Sequence, residues 1–155
     1  MILHVGIAGY GDTGQKRKYW IDQHPYMRVV AVADIDLKAF PKPGPHRYLK
    51  YKTMVEDEDL DVLFVCLPNY VAAEACIFGL ESGLHVFCEK PPADTLEAVD
   101  AVRYKSLEED ELKLKYGFNH RYHQSVKIAK DMIAQYGKII SMKGVYGKSR
   151  LMPRS

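Results

Sequence analysis

Residues 2–14 read Ile-Leu-His-Val-Gly-Ile-Ala-Gly-Tyr-Gly-Asp-Thr-Gly, and this stretch decides the fold. Ile2 to Ala8 are almost all apolar, the pattern of a strand covered on both faces. Gly9, Gly11 and Gly14 match G-x-G-x-x-G, directly after that strand and directly before a helical pattern. Each glycine has its own task in such a turn. Gly9 allows the tight bend, Gly11 leaves bare backbone for a pyrophosphate, and Gly14 lets the helix pack closely on the strand. The helix start adds free N–H groups and the positive end of its dipole. A second apolar strand, Met27 to Ala33, ends at Asp34. Asp34 stands about 20 residues past Gly14, the separation at which a carboxylate meets a ribose 2′-hydroxyl. Gly9, Tyr10, Gly11, Asp12, Thr13, Gly14 and Asp34 are therefore candidate dinucleotide contacts. The competing reading is a tight strand–helix turn with no ligand, and the full βαβ context weighs against it.

Outward from this unit, strands and helices alternate. A helix is expected from about Thr13 to His24, with Tyr19, Trp20 and Ile21 as its apolar bulk and Lys16-Arg17-Lys18 as a solvated face. Three prolines and a glycine make Phe40 to His46 a loop, leaving only Leu37 to Phe40 for a helical turn. Arg47 to Tyr51 suits a short third strand, and Thr53-x-x-Glu56 reads as a capping box opening a short helix. Val62 to Leu67 is a fourth strand, ended by Pro68-Asn69; Asn69 is either a helix cap or a ligand contact on the rim. A helix from about Val71 to Ser82 stops at Gly83. His85 to Lys90 is the fifth strand, and Asp94-x-x-Glu97 opens a helix carrying Leu96, Val99 and Val102 on one face. Leu112 to Phe118 alternates apolar and polar residues, so it is a strand nearer the sheet edge. A helix over about His123 to Tyr136 and a strand over Ile139 to Tyr146 complete the pattern. The expected fold is α/β, a doubly wound parallel sheet over residues 1–120, with the beginning of a second α+β domain over 121–155.

Composition narrows the function. The 155 residues carry a net charge of +2, too small to argue for nucleic acid or an anionic membrane. No apolar run approaches the roughly 18 residues needed to span a bilayer. The apolar N-terminus runs straight into the glycine turn, so it reads as a strand and not a signal peptide. Cys66, Cys76 and Cys88 form no C-x-x-C pair, which points to reduced thiols and a cytoplasmic setting. His120 and His123 alone make no metal site, and none is expected.

The motifs stand in a fixed order: the glycine turn with Asp34, Cys66-Leu67-Pro68-Asn69, His85-Val86-Phe87-Cys88-Glu89-Lys90-Pro91, Asn119-His120-Arg121-Tyr122-His123, and Tyr136-Gly137-Lys138-Ile139. This set resembles the glucose–fructose oxidoreductase / inositol dehydrogenase / MocA (Gfo/Idh/MocA) family, over about Ile2 to Gly147. The resemblance implies an NAD(P)-dependent oxidoreductase acting on a hydroxyl of a sugar, cyclitol or sugar-nucleotide derivative. It implies that Lys90 is the catalytic residue near nicotinamide and substrate, where desolvation lowers a lysine's pKa and lets it share a hydroxyl proton. It implies that Glu89 orients Lys90 or contacts the cofactor, and it adds Leu67, Pro68, Asn69 and Arg121 as cofactor contacts. Arg121 has an equal reading as a surface arginine at a helix start, and Pro91 is a candidate cis proline. Two departures stand out. Ala72 occupies a position where the family commonly has histidine, and no Asp–His pair one helical turn apart follows Lys90. The chain is accordingly expected to bind cofactor and to turn over poorly by itself. Asp34 favours NAD and leaves NADP open, with Lys38 nearby. An unpaired apolar strand at Ile139 to Tyr146 points to a homo-oligomer, or to disorder beyond about Gly137. The alternative function is a non-catalytic dinucleotide-binding regulator or interaction protein of the same fold.

Overall fold

The structure, a computed structural model, describes residues 1–36 and 44–145. Strand β1 (Leu3–Ala8) lies between β2 (Met27–Ala33) and β4 (Val62–Val65) in a six-stranded sheet. The remaining strands are β3 (His46–Tyr48), β5 (His85–Cys88) and β6 (Leu114–Tyr116), in the order β3-β2-β1-β4-β5-β6. Every neighbouring pair is parallel. Strand order reverses between β1 and β4, so a crevice opens there at the carboxyl ends, where open α/β sheets take ligands.

Side-chain alternation sorts the core into two layers. Val5 and Ile7 of β1 and Val62 of β4 join Tyr10 and Ile21 on the face covered by α1 (Asp12–Asp22). Ala8, Leu63, Val65, Val86 and Cys88 point to the other face. There they meet α2 (Tyr51–Asp57), α3 (Asn69–Glu81) and α4 (Leu96–Glu108) through Met54, Ala72, Ala75, Cys76, Leu80 and Val102. Small residues bring α3 close: a Cβ on Gly79 would stand 2.9 Å from Leu63 and 3.0 Å from Val86. Ile7, Leu63, Val65 and Leu80 are essentially sealed from water, each contributing about 1.5–3 kcal/mol of burial. The chain divides into two compact units, the first ending at Phe118. The second opens with a 3₁₀ turn, Asn119–Tyr122, and continues as α5 (Gln124–Tyr136), which has Val126, Ala129, Met132 and Ile133 at helical spacing.

Several local expectations are corrected. Tyr19 and Trp20 are 61% and 67% exposed and stack edge-to-face at 5.1 Å, so Ile21 alone supplies apolar bulk from that triplet. The third strand is His46–Tyr48, and α2 starts at Tyr51 behind Lys50, so Thr53 lies inside the helix and caps nothing. Helix α3 is preceded by Pro68, which makes Asn69 its first residue and not its cap. At α4 the cap is Thr95, whose Oγ1 accepts from the Ala98 N–H at 3.2 Å, rather than Asp94. Leu96 is 79% exposed, leaving Val102 as the buried anchor of that helix. Strands β4 and β5 stop at Val65 and Cys88, two residues short of the expected ends. The edge strand is Leu114–Tyr116, and the expected alternation holds only to Tyr116: Leu112, Leu114 and Tyr116 are half-buried and Lys113 and Lys115 exposed, but past the strand end Gly117 is buried and Phe118 exposed. Residues 139–145 form no strand, because a strand needs a ladder partner and none pairs with them among the described residues. Tyr146, Lys38 and the turn expected over Leu37 to Phe40 lie outside the described residues.

Candidate functional site

The glycine turn is built by steric exclusion. Gly9 has φ +88°, and a Cβ there would stand 2.6 Å from the Cys66 carbonyl oxygen. On Gly14 it would stand 2.1 Å from the Gly9 carbonyl oxygen, so α1 could not approach β1. Gly11 differs: nothing lies within 4 Å of its Cβ position, and its face is open. No side chain caps α1, whose N-cap is Gly11 and whose first residues, Asp12 and Thr13, are exposed. Bare backbone, uncapped N–H groups and the helix dipole together form a cradle for a diphosphate.

Backbone bonds hold the turn across the sheet. The Gly9 N–H donates to the Ala33 carbonyl at 2.8 Å, and the Cys66 N–H to the Ala8 carbonyl at 2.7 Å. Asp34 adds a side-chain tie, its Oδ2 accepting from the Tyr10 N–H at 2.6 Å and its Oδ1 from the Asp36 N–H at 2.9 Å. One carboxylate therefore braces the turn and still has lone pairs free to accept from ribose hydroxyls. The Tyr10 ring is buried in the core, so its part in the turn is played by backbone. Burial, then the Asp22 carboxylate, raise the Tyr10 phenol above its ordinary pKa.

A cleft of about 630 Å³ opens beside the turn, bounded by Gly9, Gly11, Asp34, Leu67 and Pro68. Sequence reasoning missed its far wall: Leu49, Lys50, Tyr51, Tyr70 and Glu74 also line it. The available signal was position, since these residues follow β3 or open α3 on the carboxyl rim. Lys52 pairs with Glu74 at 2.6 Å. Asn69 does not line the cleft.

At the end of β5 lies a second cluster. Alternation from Phe87 puts Glu89 on the α1 face, where Arg17 reaches it. The Arg17 Nε donates to Glu89 Oε1 at 2.5 Å, and a second guanidinium nitrogen contacts the same oxygen. The guanidinium also lies 4.9 Å from the centre of the Phe87 ring, which stacks on Phe64 at 4.7 Å. Arg17 is thus no member of a solvated face. Gly14, Arg17 and Ile21 fall at helical spacing on the buried side of α1, the clue that would have exposed it. Lys18 pairs with Asp22. Lys90 is exposed at the strand end and its bond to Pro91 is cis. Its N–H donates to Glu89 Oε2 at 3.3 Å. Cys66 sits between the two clusters, its thiol pushed up to about 12 by burial first and then by Glu89, with Arg17 acting oppositely. Arg121 lies in the 3₁₀ turn of the second unit.

Comparison with known proteins agrees with this geometry. The family model described as "Oxidoreductase family, NAD-binding Rossmann fold" matches residues 3–118. The chain is 31% identical over 138 residues to an uncharacterized oxidoreductase, YrbE, of Bacillus subtilis, covering 83% of this chain and 39% of the relative. It is 28% identical to a levoglucosan dehydrogenase of Pseudarthrobacter phenanthrenivorans, covering 93% and 40%. The crystal structure of myo-inositol 2-dehydrogenase from Lactobacillus plantarum superposes with a TM-score of 0.79 at 25% identity, covering 87% of this chain and 42% of that one. The chain thus spans about 40% of the length of the relatives it matches. Among the described residues no helix is long and apolar enough to cross a membrane.

Proposed function

The chain belongs to the Gfo/Idh/MocA oxidoreductase family, with an NAD-binding Rossmann fold, and from that premise we propose that it is the nucleotide-binding portion of a sugar or cyclitol dehydrogenase. The reaction proposed is hydride transfer between nicotinamide and a hydroxyl or carbonyl carbon of a sugar, cyclitol or sugar-nucleotide derivative. The observation that carries the reading is the open backbone at Gly11, flanked by two glycines that tolerate no Cβ and facing the Asp34 cleft. The residues present fit a dinucleotide: the Gly9–Gly14 backbone and the start of α1 would hold the diphosphate, and Asp34 the ribose. Leu67 and Pro68 would bound the cleft wall. Bound there, the dinucleotide supplies the hydride acceptor. Lys90 is assigned the hydroxyl proton, and Glu89 its orientation. Arg121 and Asn69 enter the assignment through the family resemblance alone.

NAD is the proposed cofactor, because Asp34 accepts from a 2′-hydroxyl and repels a 2′-phosphate. Residues 1–120 are assigned to the dinucleotide domain and 121–155 to the start of a substrate domain. Three free thiols suit a cytoplasmic protein. Homo-oligomerisation is proposed on Ile139, Ile140, Met142 and Val145, apolar side chains in a segment with no strand partner among the described residues. Ultracentrifugation checks it, and a monodisperse monomer overturns it. The main test is titration of NAD and NADP into the chain. Saturable binding with NAD tighter is expected; no binding, or tighter NADP, refutes the corresponding claim. Polyol oxidation followed by NADH absorbance then tests the reaction, with little or no turnover expected from this chain by itself.

A further inference from the structure

We propose that Arg17 sets the charge at the nicotinamide end of the site, and thereby which oxidation state of the dinucleotide is held more tightly. This inference rests on the dinucleotide reading above. Arg17 and Glu89 are mostly buried, with 23% and 14% of their side chains exposed. Glu89 is confined on several sides. Arg17 holds Oε1, the Lys90 N–H reaches Oε2, and a Cβ on Gly117 would stand 2.9 Å from Oε2. The carboxylate cannot swing into solvent without leaving these contacts. Its charge is therefore fixed in place and cancelled in place by the guanidinium. Among the described residues no ion pair cancels the exposed Lys90 ammonium at the end of β5.

That balance acts unequally on the two cofactor forms. The nicotinamide ring is cationic in NAD+ and neutral in NADH, while the rest of the molecule is the same. A net positive strand end disfavours only the oxidised ring. Deleting Arg17 leaves Glu89 to offset Lys90; neutralising Glu89 leaves two cations. Cys66, a residue of the cleft wall, lies within electrostatic reach of both Glu89 and Arg17. A residue that merely riveted α1 to β5 would alter both affinities alike when removed. Arg17 is a positioning residue that acts through Glu89 and touches neither substrate nor cofactor in this assignment.

The test compares dissociation constants for NAD+, NADH and ADP-ribose, the last lacking the nicotinamide, on the unaltered chain and four variants. Arg17→Met is expected to shift the NAD+-to-NADH affinity ratio towards NAD+ by about three- to tenfold, the effect of one screened charge at this range. Glu89→Gln is expected to shift it by a similar factor in the opposite direction. The double variant should return the ratio towards its starting value, and Arg17→Lys, which keeps the charge, should hold it. ADP-ribose affinity should stay within about twofold throughout, because its contacts lie at the glycine turn. Ratios that stay constant, or move the same way in both single variants, overturn the proposal. So does loss of ADP-ribose binding in every Arg17 or Glu89 variant, which would make the pair a structural rivet. If the unaltered chain binds none of the three ligands, the dinucleotide reading falls and this inference with it. Intact binding with an unmoved ratio sinks the inference alone.

Discussion

At Gly9 and Gly14 a single added methyl group would strike backbone at 2.6 and 2.1 Å, whereas at the end of β5 the structure is held by two charged side chains, Arg17 and Glu89, and an aromatic stack. Both regions stand on the carboxyl rim of one sheet. The first is shaped by omission, and its tolerance for change is set by hard contacts. The second is shaped by charge, and its tolerance is set by solvation and pairing. Changes at the turn should therefore be nearly all-or-none, and changes at the end of β5 should be graded and sign-dependent.

The largest expected effect separates two glycines of one turn. Gly14→Ala should cost about 3 kcal/mol or more of stability, since the methyl group meets the Gly9 carbonyl and α1 must lift. Gly11→Val should leave the melting temperature nearly unchanged, because its Cβ meets nothing, yet weaken NAD binding about tenfold or more. Equal effects on stability would break the contrast. Next, Arg17→Met should destabilise by about 1–3 kcal/mol by stranding a mostly buried carboxylate, and Arg17→Met with Glu89→Gln by less. A denaturant series checks the pair, and additive losses would mean that the two residues do not work together. Asp34→Asn keeps an acceptor and loses the charge, so it should narrow the preference for NAD over NADP by about tenfold, read by titration.

A smaller effect lies at the β3 edge. Burial alone would raise the Glu58 pKa, but hydrogen bonds from Tyr48 and His46 outweigh it and hold the carboxyl below its ordinary 4.5. That stability is present above pH 4.5 and is lost as pH falls through the lower folded-state value. Glu58→Gln should flatten this acid limb by under about 1 kcal/mol, measured by melts across the acid range. The smallest effect is expected for Trp20→Ala, within about 0.5 kcal/mol, because the ring is exposed.

The turn and the sheet were legible because both are written in local pattern. Apolar runs of strand length, glycines at fixed offsets and Asp34 at the right distance each specify backbone directly. The cis Pro91 was legible as an X–Pro bond at a strand end, whereas the role of Lys90 rests on the family resemblance. Arg17 was not legible in the same way. A basic triplet looks solvated until helical spacing assigns one member to the side of Gly14, and its partner stands 72 residues away. Helix starts were misread for a related reason. Ser, Thr, Asp and Asn are interchangeable as caps in sequence, and only backbone geometry chose Thr95 over Asp94 and left Thr53 and Asn69 inside their helices. Residues 139–145 did not form the strand expected there, because strand identity depends on a partner, which no local pattern supplies.

The exposed Tyr19–Trp20 pair has an optical consequence. Trp20 is the chain's one tryptophan, and its indole is largely hydrated while the protein is folded. Its emission should already resemble that of an unfolded chain, so intrinsic fluorescence will be nearly blind to melting of the core. The same ring rides on the helix that opens at the glycine turn and carries Arg17. Energy transfer from Trp20 to a reduced nicotinamide should then report ligand arrival with little interference from unfolding, while circular dichroism follows the fold.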